Sequence, residues 1–409
     1  MSETAPTTLT ELRYETLPWS SQAEPPRSKR HLYAATYRAA VPQRVRGLRN
    51  FGVPSGLLTA LDEATTAIAR LDGEMGGELA PFESMLLRTE SAASSQIENI
   101  TASAKAIALA EVGETERGNA SLVVANTSAM QAAVALADQM TEATLQAMHR
   151  TLLQTSAPLW AGRYRDAQVW IGPAPQRSLV RSMIGGTAFG QHEAVFVPPQ
   201  PRRIGAAMRD LVAFMRRDDV PPLLQATIAH AQFETIHPFV DGNGRTGRAL
   251  MHCLLRNKGV TQHVTVPVSA GLLTNTKGYF DALTAFRDGD AKPLVQQVAD
   301  AALYAAHNGR QLVADLRKLR TAWASKIPTR RGSATHALAD LLLRHPVVDS
   351  AFAQRALGVA APNVNTALTQ LEACGIVVQL STGRRNRKWC ATEVTDLLDG
   401  FGARSGRRR

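Results

Sequence analysis

The sequence predicts a mainly α protein with a short β-hairpin near its middle and a small α+β module at its C-terminal end. Three observations carry this expectation. Apolar residues recur at helical spacing through most of the chain, as in Leu57, Leu61, Ala64, Ile68 and Leu71. In its middle, β-formers gather in two short runs, Val169-Trp170-Ile171 and Val195-Phe196-Val197. Past residue 330, three short helical patterns are followed by two strand-like runs around an arginine-rich turn. At 409 residues, 44% hydrophobic and 20% charged, the chain has enough apolar material for two or three domains, which excludes a disordered polymer.

The elements follow in order. Residues 1–49, with Pro18, Pro25 and Pro26, read as an extended arm with little core of its own. Residues 50–125 read as an N-terminal helical region, with one helix expected over 81–109. Residues 126–310 form the largest block, with helices expected over 145–153, 204–217, 223–236, 245–258, 279–287 and 293–307. Residues 311–332 read as a basic linker, and residues 333–409 as the C-terminal module ending in the basic tail Arg407-Arg408-Arg409.

Composition narrows the function classes. No run reaches the ~18 consecutive apolar residues of a membrane helix, and the polar, proline-bearing N-terminus lacks the pattern of a signal peptide. No membrane association and a cytoplasmic location are therefore the expectation. Cys253, Cys374 and Cys390 show no C-x-x-C spacing and read as reduced thiols rather than a disulfide framework or a zinc site. The sequons at Asn99, Asn119 and Asn126 are coincidental without a secretion signal. A net charge of +11 suits an acidic partner.

The densest chemistry lies in residues 237–248, His237-Pro238-Phe239-Val240-Asp241-Gly242-Asn243-Gly244-Arg245-Thr246-Gly247-Arg248. Pro238 disfavours helix in the residue before it, so the helix over 223–236 ends at His237. Gly242 and Gly244 permit backbone conformations closed to other residues and bring amide N–H groups close to a ligand. A glycine turn opening a helix is an anion site. Asp241 offers a carboxylate oxygen to Mg²⁺, which takes one or two carboxylates together with substrate phosphates. Arg245 and Arg248, three residues apart, share a helix face, and their planar forks suit phosphate oxygens. His237, with an ordinary pKa of ~6.5, can take a proton from a hydroxyl. Together these groups describe attack on a phosphate.

Two other glycine motifs are set aside. Residues 242–247 also fit G-x-G-x-x-G, but the dinucleotide fingerprint needs a strand before the turn, and here a helix precedes it. The Gly-Lys-Ser/Thr ending of a P-loop is missing.

The stretch resembles the Fic family signature, H-P-F-x-D/E-G-N-G/K-R-x-x-R, at every fixed position. The resemblance implies an all-helical Fic domain with a short β-hairpin flap that transfers AMP from ATP to a hydroxyl of a protein, or of itself, releasing pyrophosphate. It implies His237 as the base and Asp241 as the Mg²⁺ ligand. Gly242, Asn243 and Gly244 would form the anion hole, Arg245 would hold the β-phosphate region, and Arg248 the γ-phosphate. Phe239 reads as a core anchor. Tyr279-Phe280 resembles the aromatic pair downstream of the signature, for which lining the nucleotide pocket and core packing are equal readings.

About 140 residues upstream, Ser94-Ser95-Gln96-Ile97-Glu98-Asn99 resembles the family's inhibitory motif, S/T-x-x-x-E-G/N, at Ser94, Glu98 and Asn99. The implied lock is electrostatic. Glu98 would pair with Arg248 and displace the γ-phosphate, spoiling the in-line geometry on which transfer depends. The bland alternative is an ordinary helix-surface carboxylate. A homodimer interface is one way to hold such a helix in place.

Gly162-Arg163-Tyr164-Arg165 with Val169-Trp170-Ile171-Gly172, and residues 192–199, resemble the family's flap, which holds a target segment by edge pairing. The long connection 173–191, carrying Arg177, Arg181, Gly185 and Gly186, departs from the short loop expected there. The C-terminal module resembles a winged helix, with helices expected over 337–343, 350–357 and 361–373 and strands over 375–380 and 388–391. Asn363, Asn365, Thr366 and Thr369 lie on the candidate recognition helix, and Arg384, Arg385, Arg387 and Lys388 on the wing. DNA binding and protein–protein pairing are equal readings of such a module.

Two functions of different class remain. One is an auto-inhibited protein adenylyltransferase; the other is a DNA-binding regulator using the Fic module as a nucleotide sensor. Within the enzyme class, the same inhibitory glutamate serves AMP removal in some relatives of the family, and others transfer UMP or phosphocholine.

Overall fold

A computed structural model describes residues 7–18, 36–76, 79–113, 118–172, 194–380 and 387–406. In chain order the elements are β1 (Arg13–Pro18), β2 (Thr36–Val41), α1 (Ser55–Met75), α2 (Leu79–Ile97), α3 (Ala104–Glu111), α4 (Asn119–Ala135) and α5 (Glu142–Leu153). There follow α6 (Pro201–Met215), α7 (Pro222–Ile236), α8 (Asn243–Asn257), α9 (Val268–Leu273), α10 (Thr276–Arg287) and α11 (Lys292–Lys326). The C-terminal elements are α12 (Ala334–Arg344), β3 (Val347–Asp349), α13 (Ser350–Leu357), α14 (Ala361–Ala373), β4 (Val378–Gln379), β5 (Lys388–Cys390) and α15 (Thr392–Gly406). The mainly α expectation holds.

The chain divides into two compact units. The first comprises residues 1–65, 128–260 and 276–300. Its centre is α7, in which every residue from Leu223 to Ile236 is buried. Proline at the first position of both α6 and α7 presets the helical φ where no N–H is needed. Gln225 of α7 donates its amide to the Phe214 and Arg217 carbonyls, each at 2.8 Å, closing the end of α6. Strands β1 and β2 pair antiparallel from Arg13↔Val41 to Pro18↔Thr36, and Leu12 and Ala40 bury against Phe196. Among the described residues, the two runs expected for the flap meet in an antiparallel bridge, Ile171↔Phe196. Arg177, Arg181, Gly185, Gly186 and the start of its second run at His192 lie outside the described residues.

The second unit comprises residues 66–127, 261–275 and 301–409. The single helix expected over 81–109 is two: α2 stops at Ile97, and Asn99 turns left-handed with φ 59° before α3 starts behind its cap Ser103. Asparagine tolerates that conformation better than most residues. Asp72 accepts from the N–H groups of Gln262, His263 and Val264, and Glu90 from the N–H and hydroxyl of Ser269. Gly271 allows close backbone approach, since a Cβ there would stand 2.2 Å from the Ala301 carbonyl oxygen.

The basic linker expected over 311–332 is mostly helix, because α11 continues to Lys326. Leu312, Val313, Leu316 and Trp323 are buried at helical spacing, and Trp323 donates to Glu393 at 2.7 Å. Charge on the solvent side masked that apolar stripe. At the C-terminal end, α12, β3, α13, α14, β4 and β5 follow in turn, with an antiparallel sheet in the order β3-β5-β4. Two elements of this module were not expected from the sequence, the three-residue β3 and α15, whose glycines at 400, 402 and 406 dilute the helical signal. Arg384 and Arg385 lie outside the described residues, as does the tail 407–409.

Candidate active site

The conformation of His237 follows from its neighbours. It is the C-cap of α7 in the left-handed region, φ 48° and ψ 61°, and it donates its own N–H to the Phe233 carbonyl at 2.8 Å. The chain then turns through Phe239 and Asp241 to Gly242, which caps α8 with φ 76°. A Cβ at Gly242 would meet a Leu152 methyl at 3.0 Å in addition to the backbone strain. No side chain caps α8, so its first N–H groups point outward at the turn. That is the arrangement an anion requires.

The Asn243 side chain braces this loop. Its Oδ1 accepts from the Phe239 N–H and its Nδ2 donates to the Phe239 carbonyl, both at 3.0 Å. Phe239 is fully buried, as a core anchor should be, and stacks on His149 at 3.7 Å with an interplanar angle of 1°. His149 fixes the other side. Its Nδ1 accepts from the Gly162 N–H, so Nε2 carries the proton and donates to the Asp241 carbonyl, both at 2.9 Å. Burial drives this imidazole down to about 4, so it stays neutral and keeps its tautomer at neutral pH. Asp241 takes the Gly242 N–H on Oδ1 at 2.7 Å, leaving Oδ2 for a cation.

Arg165 holds the backbone around the histidine. Nε donates to the His237 carbonyl at 2.8 Å, Nη1 to Ala167 at 3.0 Å and Nη2 to Pro199 at 2.5 Å, while its N–H donates to the Pro238 carbonyl at 2.9 Å. Burial lowers its pKa to about 10, still charged at neutral pH. His237 lies 3.9 Å from the Glu234 carboxylate through Nδ1. Burial, followed by the Arg165 and Arg287 guanidiniums, pushes His237 down to about 3, so the free base is present at neutral pH.

Arg245 and Arg248 are both buried on α8. Close to Arg248, His230 is pushed down to about 3 by burial and by that guanidinium. Gly247 lets α7 and α8 approach: a Cβ there would stand 2.9 Å from His230 Nδ1 and 3.0 Å from Glu234 Oε1. Tyr279 is 1% exposed, with its hydroxyl 2.7 Å from His230 Nε2 and its ring against Phe280.

The profile of the Fic/DOC family matches residues 139–255, and that of the Fic/DOC family N-terminal region matches residues 58–135. The chain carries a Fic/DOC domain. Its Fic domain is similar to that of the protein adenylyltransferase fic-1 of Caenorhabditis elegans, 29% identical over 155 residues, which is 37% of this chain and 25% of that protein. The protein adenylyltransferase Fic of Drosophila virilis is 30% identical over 156 residues, 37% and 26% of the two chains. The match thus spans about a quarter of these relatives' length. In fold, a Fic family protein from Desulfovibrio desulfuricans G20 aligns with 81% of this chain and 95% of its own, with a TM-score of 0.51 at 23% identity.

Within the Fic domain, His237, Asp241, Gly242, Asn243, Gly244, Arg245 and Arg248 all fall in the first unit, on or between α7 and α8. Ser94, Glu98 and Asn99 belong to the second unit. There Ser94 is fully buried, and Glu98 and Asn99 are exposed at the turn after α2. Sequence reasoning passed over two supporting residues, His149 and the bridging role of Arg165. Both act on backbone atoms 72 or more positions away. Only the arginine-bearing run 162–165 hinted at the second.

Proposed function

We propose that the chain is an auto-inhibited protein adenylyltransferase that moves AMP from ATP to a Ser, Thr or Tyr hydroxyl of a protein target or of itself. The observation that carries this reading is a neutral, largely buried imidazole at a left-handed helix end, joined by a braced loop to the N-terminus of α8, which no side chain caps. The relatives named as protein adenylyltransferases support it.

His237 accepts the hydroxyl proton as the oxygen attacks the α-phosphorus. The bond to the bridging oxygen breaks, and pyrophosphate leaves with that electron pair. The N–H groups that open α8 stabilise the charge on the α-phosphate, while Arg245 and Arg248 hold the β- and γ-phosphates. Asp241 would hold Mg²⁺ through Oδ2; that ion, when bound, neutralises phosphate charge. Main-chain pairing along the flap around Ile171 and Phe196 would seat the target segment.

Glu98 acts as the lock in this reading, competing with the γ-phosphate for Arg248. Its support is the inhibitory motif and its exposure at the end of a helix whose Ser94 is buried. ATP labelled on the α-phosphate is expected to label the chain or a target weakly, and Glu98→Gly to raise the label about tenfold or more, the effect of ~1.4 kcal/mol or more. ATP labelled on the γ-phosphate is expected to leave none. Label from the γ-phosphate would replace AMP transfer with phosphoryl transfer, and an unchanged Glu98→Gly would remove the lock.

A role for the C-terminal module in DNA binding is favoured by one observation. It orders three short helices before the last two strands of a β3-β5-β4 sheet, an arrangement that supports the winged-helix reading, and Asn363, Asn365, Thr366 and Thr369 are all exposed on α14. Duplex DNA is expected to shift the full chain in a gel, with affinity falling steeply as salt rises. No shift at low salt would leave protein pairing as the use of the module.

A further inference from the structure

The second unit contains a half-open pocket of about 390 Å³ between α2, α3 and α15. It exists because helices that would otherwise interlock carry Ala92, Ala93, Ala104, Ala108, Gly402 and Gly406 along it. Ile107, Leu398 and Phe401 give it an apolar lining. An apolar cavity of ~150 Å³ suffices to bind benzene, so this one has room for a fused-ring molecule. It also lies in the ~300–1,000 Å³ range of small-molecule sites.

Its polar groups are few and define the ligand. Exposed Gln96 and Asp399 stand on its lining, and a Cβ at Gly406 would lie 3.9 Å from Gln96 Nε2. Asp399 spends Oδ1 on the Ala104 N–H at 2.8 Å, and Oδ2 is left for a donor. Arg88 also lines the cavity, but its guanidinium is already occupied. Nε donates to Glu111 at 2.7 Å, Nη1 to the Arg344 carbonyl, and Nη2 lies against His345. With Arg88 neutralised by Glu111, the remaining charge is the Asp399 carboxylate, which disfavours anions, nucleotides included.

The cavity touches the helix that carries the inhibitory motif. One side of α2 is pinned by Asn126, whose Nδ2 donates to the Ser91 carbonyl at 2.9 Å and to Ser95 Oγ at 3.2 Å. Another side, at Thr89, Ala92, Ala93 and Gln96, faces the void. We infer that this cavity is an effector site for a compact, uncharged apolar molecule bearing one N–H donor directed at Asp399. Such a ligand adds contacts to α2 and stabilises the helix that leads into Glu98, and so favours the locked state of the proposed function. The regulatory half of the inference rests on the proposed lock at Glu98; the binding half does not.

Indole is a suitable probe and benzoate its anionic counterpart. Calorimetric titration of the full chain is expected to show saturable one-to-one binding of indole, at least tenfold weaker binding of benzoate, and at least tenfold weaker binding of indole after Ala93→Phe fills the void. Ala108→Leu, from the facing helix, gives the same readout should Ala93→Phe not fold. Saturating indole is expected to lower label from α-labelled ATP severalfold in the wild type and to leave Glu98→Gly unaffected. Absent binding, equal binding of benzoate, or binding indifferent to both filling variants overturns the site. Binding that leaves wild-type label unchanged, while Glu98→Gly raises it, overturns the regulation. If Glu98→Gly raises nothing, the lock is wrong and the titration alone decides the site.

Discussion

His237→Asn is expected to abolish label from α-labelled ATP, a loss of ~10²–10⁴-fold for a general base, with little change in the melting curve. Asparagine is the informative replacement because residue 237 sits at φ 48°, which asparagine tolerates and alanine does not. The backbone bonds at this position, to Phe233 and from Arg165, do not involve the imidazole. Alanine would add a cost of ~1–2 kcal/mol from the left-handed backbone and so mix chemistry with strain. Since burial keeps the wild-type imidazole neutral, with a pKa of about 3, transfer is also expected to continue at pH 5.5, where an ordinary histidine is mostly protonated. Undiminished label in His237→Asn would remove the catalytic assignment, and an acid limb near pH 6.5 would show an imidazole open to water.

Acid is expected to unfold the first unit at a mild pH, between about 6 and 4, through three histidines held there in neutral form, His149, His230 and His237. His149 is held at about 4, and His230 and His237 at about 3, against ~6.5 in the unfolded chain. Below pH 6.5 the unfolded chain therefore binds more protons than the folded one, and stability falls with pH. The stability these groups contribute is complete above pH 6.5. At pH 4 each histidine has forfeited on the order of 3 kcal/mol, and the three together on the order of 10 kcal/mol. A whole domain is worth only ~5–15 kcal/mol. Near-UV circular dichroism from pH 8 to pH 3, with proton uptake followed by potentiometry, reads the transition. A native spectrum at pH 4 would contradict it.

The site was more legible in the sequence than the scaffold that holds it. Residues 237–248 announced themselves because proline, two glycines and two arginines have local consequences: a helix stop, a left-handed turn and a new helix whose N-terminus lacks a cap. The supports were hidden. His149 reaches Asp241 across 92 positions, and nothing near His149 marks it as anything but a helical residue. The helix over 223–236 was found, but burial on all its sides leaves no amphipathic face from which its neighbours could be read. The break after Ile97 went unforeseen because Glu98 and Asn99 are compatible with a continuing helix until the left-handed turn at Asn99 ends it. The length of α11 was missed where its basic surface outweighed Leu312, Leu316 and Trp323.

Arg165 has a consequence for the evolution of specificity. One guanidinium grips the carbonyls of Ala167 and Pro199 and, with its third donor, the carbonyl of His237. The segment bounded by 167 and 199 is therefore clipped at both ends to a point that is itself tied to residue 237. Under the proposed function, changes of sequence or length inside the clip would alter target choice without re-aiming His237, so new targets could be acquired one loop at a time on an unchanged frame.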